Sequence, residues 1–367
     1  MKSNTLISII IPTFNGSGTI KDTLESICAQ GQEDIEVIIS DDNSTDNTLE
    51  ICQTFKGRLK ILIYESIKNE GYSKNIRKGF EKSNGDYAFL LGQDDLIALR
   101  SFDLIRRLID ENPEVTCFSR PYFWFETNPF RIVRQKQSLL SEKGIYLNVS
   151  NKSAFEAIAN LISTTDQLSG LIIKKSKISH TFHKDIFTSH VYPFTSAFLA
   201  GCALIIPYHF IAVRIESSQS RNVSSIYDKS PIKSWKAWLD TFFPSSEFPE
   251  IHSYLIKNLI VNFGIGLLQI RNFSSKPFIY TLREIKEMIK LRWKVLFDIR
   301  FISIFILVIF LPKNILRVVV DLTKRFINKL VISRNFKSIT SLDVWWENAI
   351  PVDALDKIEL IESIRKL

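Results

Sequence analysis

Between residues 6 and 91 the chain alternates short, continuous apolar runs with stretches whose apolar residues recur at helical spacing. The runs are 6–11 (LISIII), 36–40 (EVIIS), 59–64 and 87–91. They are rich in β-branched residues and lack the regular polar alternation of a half-solvated strand, so they predict strands buried on both faces, as in a parallel sheet. Pro12 closes the first run. Residues 19–30 carry Ile20, Leu24 and Ile27, residues 48–55 carry Leu49, Ile51, Cys52 and Phe55, and residues 73–82 follow in the same manner, which predicts three helices. Strands alternating with short helices mean βαβ crossovers, hence an α/β fold with a doubly wound, largely parallel sheet.

In such a sheet ligands sit beyond the carboxyl ends of the strands. The first run ends in Pro12-Thr13-Phe14-Asn15, the second in Asp41-Asp42-Asn43-Ser44-Thr45-Asp46 and the fourth in Gly92-Gln93-Asp94-Asp95. Two carboxylate clusters and an aromatic ring are thereby expected on one edge. Acids at the end of a buried strand are costly unless a cation or a set of hydrogen-bond donors meets them. Plainer readings stand beside the functional one: Phe14 as core, Asp42 and Asp46 as turn or cap residues, and Asp94-Asp95 as the cap of a helix starting near Ala98. A receiver-type phosphoacceptor domain also gathers acids at strand ends, but its acceptor Asp belongs on the third strand, and here that run ends in Glu65-Ser66.

Composition adds a second region. The 367 residues are 45% hydrophobic and 23% charged, enough for a large domain with an appendage or for two domains. The formal charge is +8, but residues 271–337 hold 15 Lys/Arg against 4 Asp/Glu, a net of +11 that leaves −3 for the remainder. Four scattered cysteines with no C-x-x-C spacing and a short N-terminal apolar run predict no disulfide framework, zinc site or cleaved signal, and point to a reducing, cytoplasmic setting.

The domains expected are 1–223 for the α/β part and 224–367 for a mostly helical, basic extension. Residues 224–235 (SSIYDKSPIKSW) read as a turn-rich linker. Beyond them 251–270 is largely apolar, 280–300 basic and amphipathic, 301–311 (FISIFILVIFL) uninterrupted apolar sequence stopped by Pro312, and 315–331 mixed apolar and basic. Spanning a bilayer takes about 20 apolar residues, so 301–311 is too short to cross one. Two readings stay open: interfacial attachment to an anionic membrane surface, peripheral on the cytoplasmic face, or a core helix with solvated basic neighbours. No nucleic-acid recognition module accompanies the charge. The tail after Ser341 contains Trp345-Trp346 and the acids Asp353, Asp356, Glu359 and Glu362, and is placed either on the basic helices or in self-association.

Taken together, residues 8–16 (SIIIPTFNG), 36–48 (EVIISDDNSTDNT), 69–80 (NEGYSKNIRKGF) and 85–95 (GDYAFLLGQDD) resemble the GT-A glycosyltransferases of family 2, and the form LLGQDD resembles the abequosyltransferase-like branch that builds O-antigen and other bacterial surface polysaccharides. The resemblance covers about the first hundred residues. It implies a nucleotide-sugar donor, a saccharide acceptor carried on a polyprenyl diphosphate lipid, and Mg²⁺ or Mn²⁺. By position, it implies that Pro12 and Phe14 line the base pocket, Asp42 accepts from the base, Lys74 stands where the family usually has Arg, Asp94 faces the ribose and Asp95 binds the metal. Gly92 and Gln93 occupy positions where related motifs carry acids, so two carboxylates remain of a possible three.

An acceptor hydroxyl needs a general base for an inverting displacement. In the resembling enzymes this is often an Asp at the start of a helix that leads through a small-residue turn into a strand. Counting back from Leu199-Ala200-Gly201 places Ser189-His190 there, so His190, with an ordinary imidazole pKa of about 6.5, is the candidate, against a capping role for the same side chain. Asp166 and Asp185 are the fallback carboxylates. His180 and His183 are near in sequence, and no second metal site is expected from them. Two other functions share these ingredients: a degenerate GT-A domain that binds glycan or acts as a scaffold, and a sugar nucleotidyltransferase, which needs a basic loop after strand one that Phe14-Asn15-Gly16-Ser17-Gly18 lacks.

Overall fold

A computed structural model describes residues 6–31, 34–128, 130–136, 144–148, 155–179, 185–216, 224–319, 339, 341–355 and 360–361. His180, His183, Asp356, Glu359, Glu362 and most of the mixed segment 315–331 lie outside them. Two compact units form: residues 1–215 with 334–367, and residues 216–333.

In the first unit the buried runs become parallel strands. β1 (Ile7–Thr13) pairs with β2 (Ile35–Asp41), β2 with β3 (Lys60–Glu65), and β1 on its other side with β4 (Tyr87–Leu90). Helices α1 (Ile20–Cys28), α2 (Thr48–Gln53) and α3 (Tyr72–Lys82) make the crossovers. The fourth strand thus lands on the opposite side of β1 from the second and third, and the C-terminal ends of β1 and β4 flank a topological switch point, where doubly wound sheets bind ligands. At the opposite edge the buried Glu36 ties β2 to β1 and to the start of β4 by accepting from Ser8 Oγ at 2.6 Å and Asn84 N at 2.6 Å.

The expectation that Asp94-Asp95 cap a helix near Ala98 is overturned: β5 (Leu96–Ile97) follows them, and α4 (Ser101–Glu111) begins later. Then come β6 (Val115–Ser119), β7 (Tyr122–Glu126), β8 (Arg131–Lys136), β9 (Gly144–Asn148), α5 (Phe155–Thr164), β10 (Ile172–Lys174), α6 (Val191–Leu199), β11 (Cys202–Ile205) and β12 (Ile211–Arg214). With β13 (Leu360–Ile361) they extend the sheet to nine strands in the order β13-β9-β11-β6-β10-β4-β1-β2-β3, while β5-β12-β7-β8 form a second, smaller sheet. Five of the large sheet's eight pairings are parallel, the exceptions being those of β10 with β4 and β6 and of β11 with β9.

The second unit is helical: α7 (Pro231–Phe242), α8 (Pro249–Asn262), α9 (Gly264–Phe273), α10 (Pro277–Leu291) and α11 (Ile299–Phe310), around Ile232, Ile260, Leu267, Ile285, Met288, Phe301 and Val308. The linker reading of 224–235 is corrected here. Ser230-Pro231 signals a turn, but it is equally an N-cap followed by Pro at the first helical position, and Ser230 Oγ accepts from Lys233 N at 3.2 Å to open α7. Among the described residues no single helix is long and apolar enough to cross a membrane; α8 and α9 pass only as a pair, bent by 45°. The short helix α12 (Leu342–Asn348) belongs to the first unit.

Candidate active site

The loops after β1 and β2 are laced together by their own side chains. Asn15, in the left-handed region at φ 47°, accepts from Thr45 N at 2.8 Å, Gly16 N donates to Thr48 Oγ1 at 2.7 Å, and Ser17 N donates to Asp46 Oδ2 at 3.0 Å. Asp41 is fully buried and holds its own turn through Ser44 N at 2.7 Å and Thr13 Oγ1 at 2.8 Å. Asp46 is therefore a turn residue, as the plainer reading has it, and Asp41 is one beyond that reading. Phe14 is 43% exposed, which removes it from the core, and Pro12 is half-buried within β1. Asp42 is buried, and its two oxygens accept from Glu70 N at 2.7 Å and Gly71 N at 2.8 Å, fixing the entry to α3. Each oxygen keeps a second lone pair. Lys74 is exposed and pairs with Glu70 at 2.9 Å. A different lysine, Lys78, reaches the strand ends: its ammonium donates to the Asp41 carbonyl at 2.9 Å and to Ser66 Oγ at 2.6 Å, and burial lowers its pKa against the pull of Asp42 and Asp41.

Gln93 bridges the switch point. Its Oε1 accepts from Phe14 N at 2.9 Å and its Nε2 donates to Phe14 O at 3.1 Å, so the amide mimics a paired backbone strand. A Cβ on Gly16 would lie 2.4 Å from the same Oε1, so glycine there is a condition of the contact. Thr19, at the N-cap of α1, and Thr23 within it donate to the Gln93 carbonyl at 3.2 and 3.0 Å.

Asp94 is half-buried and Asp95 is 1% exposed. Asp95 Oδ2 accepts from Gln167 Nε2 at 2.9 Å and from Ser169 Oγ, and its Oδ1 from Arg214 N at 3.0 Å. Burial, then repulsion from Asp94, push its carboxyl well above the usual range, and these hydrogen bonds oppose the shift. A Cβ on Gly92 would lie 2.9 Å from both Asp94 Oδ1 and Asp95 Oδ2, so the two acids crowd the space over this glycine. With both acceptor positions of Asp95 Oδ2 engaged, a hard divalent ion would meet Asp95 through Oδ1, and its charge would relieve the repulsion between the acids. Among the described residues no group of three or more His, Cys, Asp and Glu side chains is placed to hold a metal, so further ligands would come from a substrate or water, as is usual for Mg²⁺. The Arg214 guanidinium also supplies positive charge: it is ion-paired to Asp22 at 2.9 Å, donates to the Asp94 carbonyl at 3.2 Å and lies over the Phe125 ring.

One loop joins these acids to His190. Gln167 and Ser169 contact Asp95, while the carbonyl of Thr165 meets His190 Nε2 at 2.8 Å. Arg120, wholly buried, holds the loop by donating to Thr164 O at 3.0 Å and Gln167 O at 2.9 Å. His190 stands at the start of α6, which runs through Gly201 into β11, the context expected of it. Since Nε2 must donate to a carbonyl, Nδ1 is the acceptor, and the Tyr72 hydroxyl lies 3.1 Å from it. The ordinary pKa expected for His190 is corrected: burial lowers it to about 4, so the ring is neutral near pH 7. Asp185 is buried and its Oδ1 accepts from Phe187 N at 2.8 Å, whereas Asp166 is exposed and accepts from Tyr122 OH.

Lys78, Arg120, Arg214, Tyr72, Gln167 and Ser169 are absent from the sequence-based set. Arg214 carries a usable signal, because 211–214 (IAVR) is an apolar strand ending in a charge, the same pattern that marks Asp94 and Asp95.

A family model described as Glycosyl transferase family 2 matches residues 8–163. The chain is 27% identical over 126 residues to the glycosyltransferase GlyG of Streptococcus pneumoniae, covering 34% of this chain and 41% of that protein. It is 33% identical over 92 residues to the GalNAc(5)-diNAcBac-PP-undecaprenol beta-1,3-glucosyltransferase of Campylobacter jejuni, covering 24% of this chain and 29% of that protein. With the abequosyltransferase RfbV of Salmonella typhimurium it shares 32% identity over 114 residues, 30% of this chain and 34% of that protein. The chain thus spans between 29% and 41% of the length of these curated relatives. In fold it is similar to TarS 1-349 of S. aureus, solved in complex with UDP-GlcNAc, with a TM-score of 0.57 at 15% identity over 78% of this chain and 81% of that one. Residues 8–163 thus match the glycosyl transferase family 2 model, in a chain whose fold is similar to that of TarS.

Proposed function

We propose that the protein transfers a sugar from a nucleotide diphosphate donor to a hydroxyl of a saccharide acceptor, with inversion at the anomeric carbon, in the making of a bacterial surface polysaccharide such as an O-antigen. The observation that carries this reading is the closely set pair Asp94 and Asp95 at the switch point between β1 and β4, with Gln93 between them and the backbone of the exposed Phe14. Phe14 stacks on the base with Pro12 beneath it, and Asp42 accepts from the base with its remaining lone pairs. Lys74 and Lys78 supply positive charge near the strand ends. Asp94 faces the ribose, and Asp95, with Asp94, would hold Mg²⁺ or Mn²⁺. When bound, such an ion neutralises the departing diphosphate.

In the transfer the acceptor oxygen bonds to the anomeric carbon as the bond to the diphosphate oxygen breaks, and that electron pair leaves with the nucleoside diphosphate. The acceptor's proton passes to His190 Nδ1, through the Tyr72 hydroxyl that already lies against it. The low pKa keeps this nitrogen unprotonated near pH 7, so it is always available, at the expense of basicity. A lipid-linked acceptor is supported by the C. jejuni relative, whose name specifies an acceptor on undecaprenyl diphosphate.

Titration of the purified protein with UDP-, GDP-, dTDP- and CDP-sugars, with Mn²⁺ or with chelator, tests the reading. One donor is expected to bind, and more weakly under chelation. Asp95→Ala abolishes that binding, and Phe14→Ala weakens it by roughly 5- to 150-fold, the range of a lost base–aromatic stack. His190→Gln lowers the turnover rate by about 10²- to 10⁴-fold with donor affinity unchanged. Tight glycan binding with no affinity for any nucleotide sugar would favour a degenerate, glycan-binding domain instead.

A further inference from the structure

Sixteen large apolar side chains are exposed among the described residues, and twelve of them lie between Ile265 and Val318 in the helical unit. They are not scattered. On α11 the exposed residues Ile299, Ser303, Ile306 and Phe310 recur at intervals of four, three and four, which places them in one stripe. Ile299 is 73% and Phe310 72% exposed, while Phe301 and Val308, half a turn round the helix, are buried. That inner face is committed: a Cβ on Gly264 would lie 2.2 Å from Ile304 Cδ1, and Arg271 Nε donates to the Val308 carbonyl at 2.9 Å. Just before α11, Trp293 and Phe297 are 59% and 76% exposed and stand edge to face, with ring centroids 5.9 Å apart. A helix apolar on all sides is ordinarily enclosed, and here one stripe of it is not.

The charges round this face have one sign. Lys294, Arg300 and Lys313 are exposed among the apolar residues. From 276 to 319 nine Lys/Arg stand against three acids, and each acid is engaged within its own unit. Glu284 is buried on Ser230 Oγ, Glu287 pairs with Lys290 and Lys233, and Asp298 caps α11 through Arg300 N. A second copy of a cationic face would repel the first, and nucleic acid would leave the aliphatic stripe unmatched. We infer that residues 293–313 form a docking surface for an anionic phospholipid bilayer. The rings of Trp293 and Phe297 and the stripe of α11 lie in the acyl boundary, and Lys294, Arg300 and Lys313 lie among the headgroups, with no segment crossing. The inference is independent of the transferase reading.

Flotation of the full chain with vesicles tests it. The protein is expected to float with phosphatidylcholine vesicles that contain phosphatidylglycerol, weakly with phosphatidylcholine alone, and less as salt rises. Lys294→Glu and Arg300→Glu each lower the partition coefficient at least about fivefold, the effect of one basic residue near such a surface. The pair Phe297→Ser with Phe310→Ser, at positions already solvated, abolishes flotation while circular dichroism and nucleotide-sugar binding stay as in the parent. Failure to float with either vesicle, or flotation indifferent to all four substitutions, would overturn the inference. So would a concentration-dependent dimer in sedimentation that the phenylalanine variants dissolve, since a second copy would then be the occupant. Should the serine pair misfold, the two charge reversals still decide.

Discussion

At the level of single residues, Gln93 changes meaning between sequence and structure. Read along the chain, it is an acid missing from a motif. In the fold its amide is required: one end must accept from Phe14 N and the other must donate to Phe14 O, which a carboxylate cannot do. Gln93→Glu keeps the first bond, loses the second and sets a negative oxygen against a carbonyl. We predict a loss of about 1–3 kcal/mol in urea unfolding, and weaker donor binding as the Phe14 ring loses its anchored backbone. Unchanged donor affinity in that variant would show that the amide only packs. That Asp42, Asp94 and Asp95 stand just beyond strand ends is legible in sequence, because a buried run and the acids that follow it are local features. That Asp95 is caged by Gln167, Ser169 and Arg214 is not, since those partners lie 72 to 119 residues away.

At the level of elements, the strands and helices from Ile7 to Leu90 fall within two residues of their expected bounds at most ends, because strands buried on both faces leave an unbroken apolar signature. The second sheet leaves no such signature. Its strands β5 and β12 have two and four residues, and they pair across more than a hundred positions of sequence. The loop 164–170 is likewise silent, since its order comes from Arg120 at the end of β6. Removing that guanidinium leaves two inward carbonyls unpaired and frees the segment that holds both Asp95 and His190. Arg120→Met is expected to cost about 2–4 kcal/mol of stability and to lower turnover more than donor affinity. Arg120→Lys should not restore it, because an ammonium lacks the planar fork that reaches both carbonyls. Rescue by lysine would mean that charge alone suffices.

At the level of the whole molecule, the chain leaves its first unit at Ile215 and re-enters it with residues 334–367. The returning segment does not lie idle. Trp345, 1% exposed, sets its ring 5.2 Å from Phe123 and donates from Nε1 to His209 O at 2.8 Å. Trp346 donates to Ile97 O at 2.9 Å, and Arg100, in the left-handed region at φ 64°, donates to Ile350 O at 3.0 Å. Ile97 and Arg100 are two and five residues beyond Asp95, so the tail fastens the backbone on which the acids stand. The placement α12 adopts is not among those read from sequence: it packs on the first unit, where its paired tryptophans find carbonyl partners in the second sheet and beside it. Trp345→Ala empties a sealed slot and is expected to cost about 3–5 kcal/mol. A chain ended before Ser341 should lose at least as much and bind nucleotide sugar more weakly, although it retains every residue assigned to the donor. Equal stability and equal donor binding in the shortened chain would show that the first unit is complete without its returning segment. A cooperative loss of both would show that the acids at the switch point are held from the far end of the sequence.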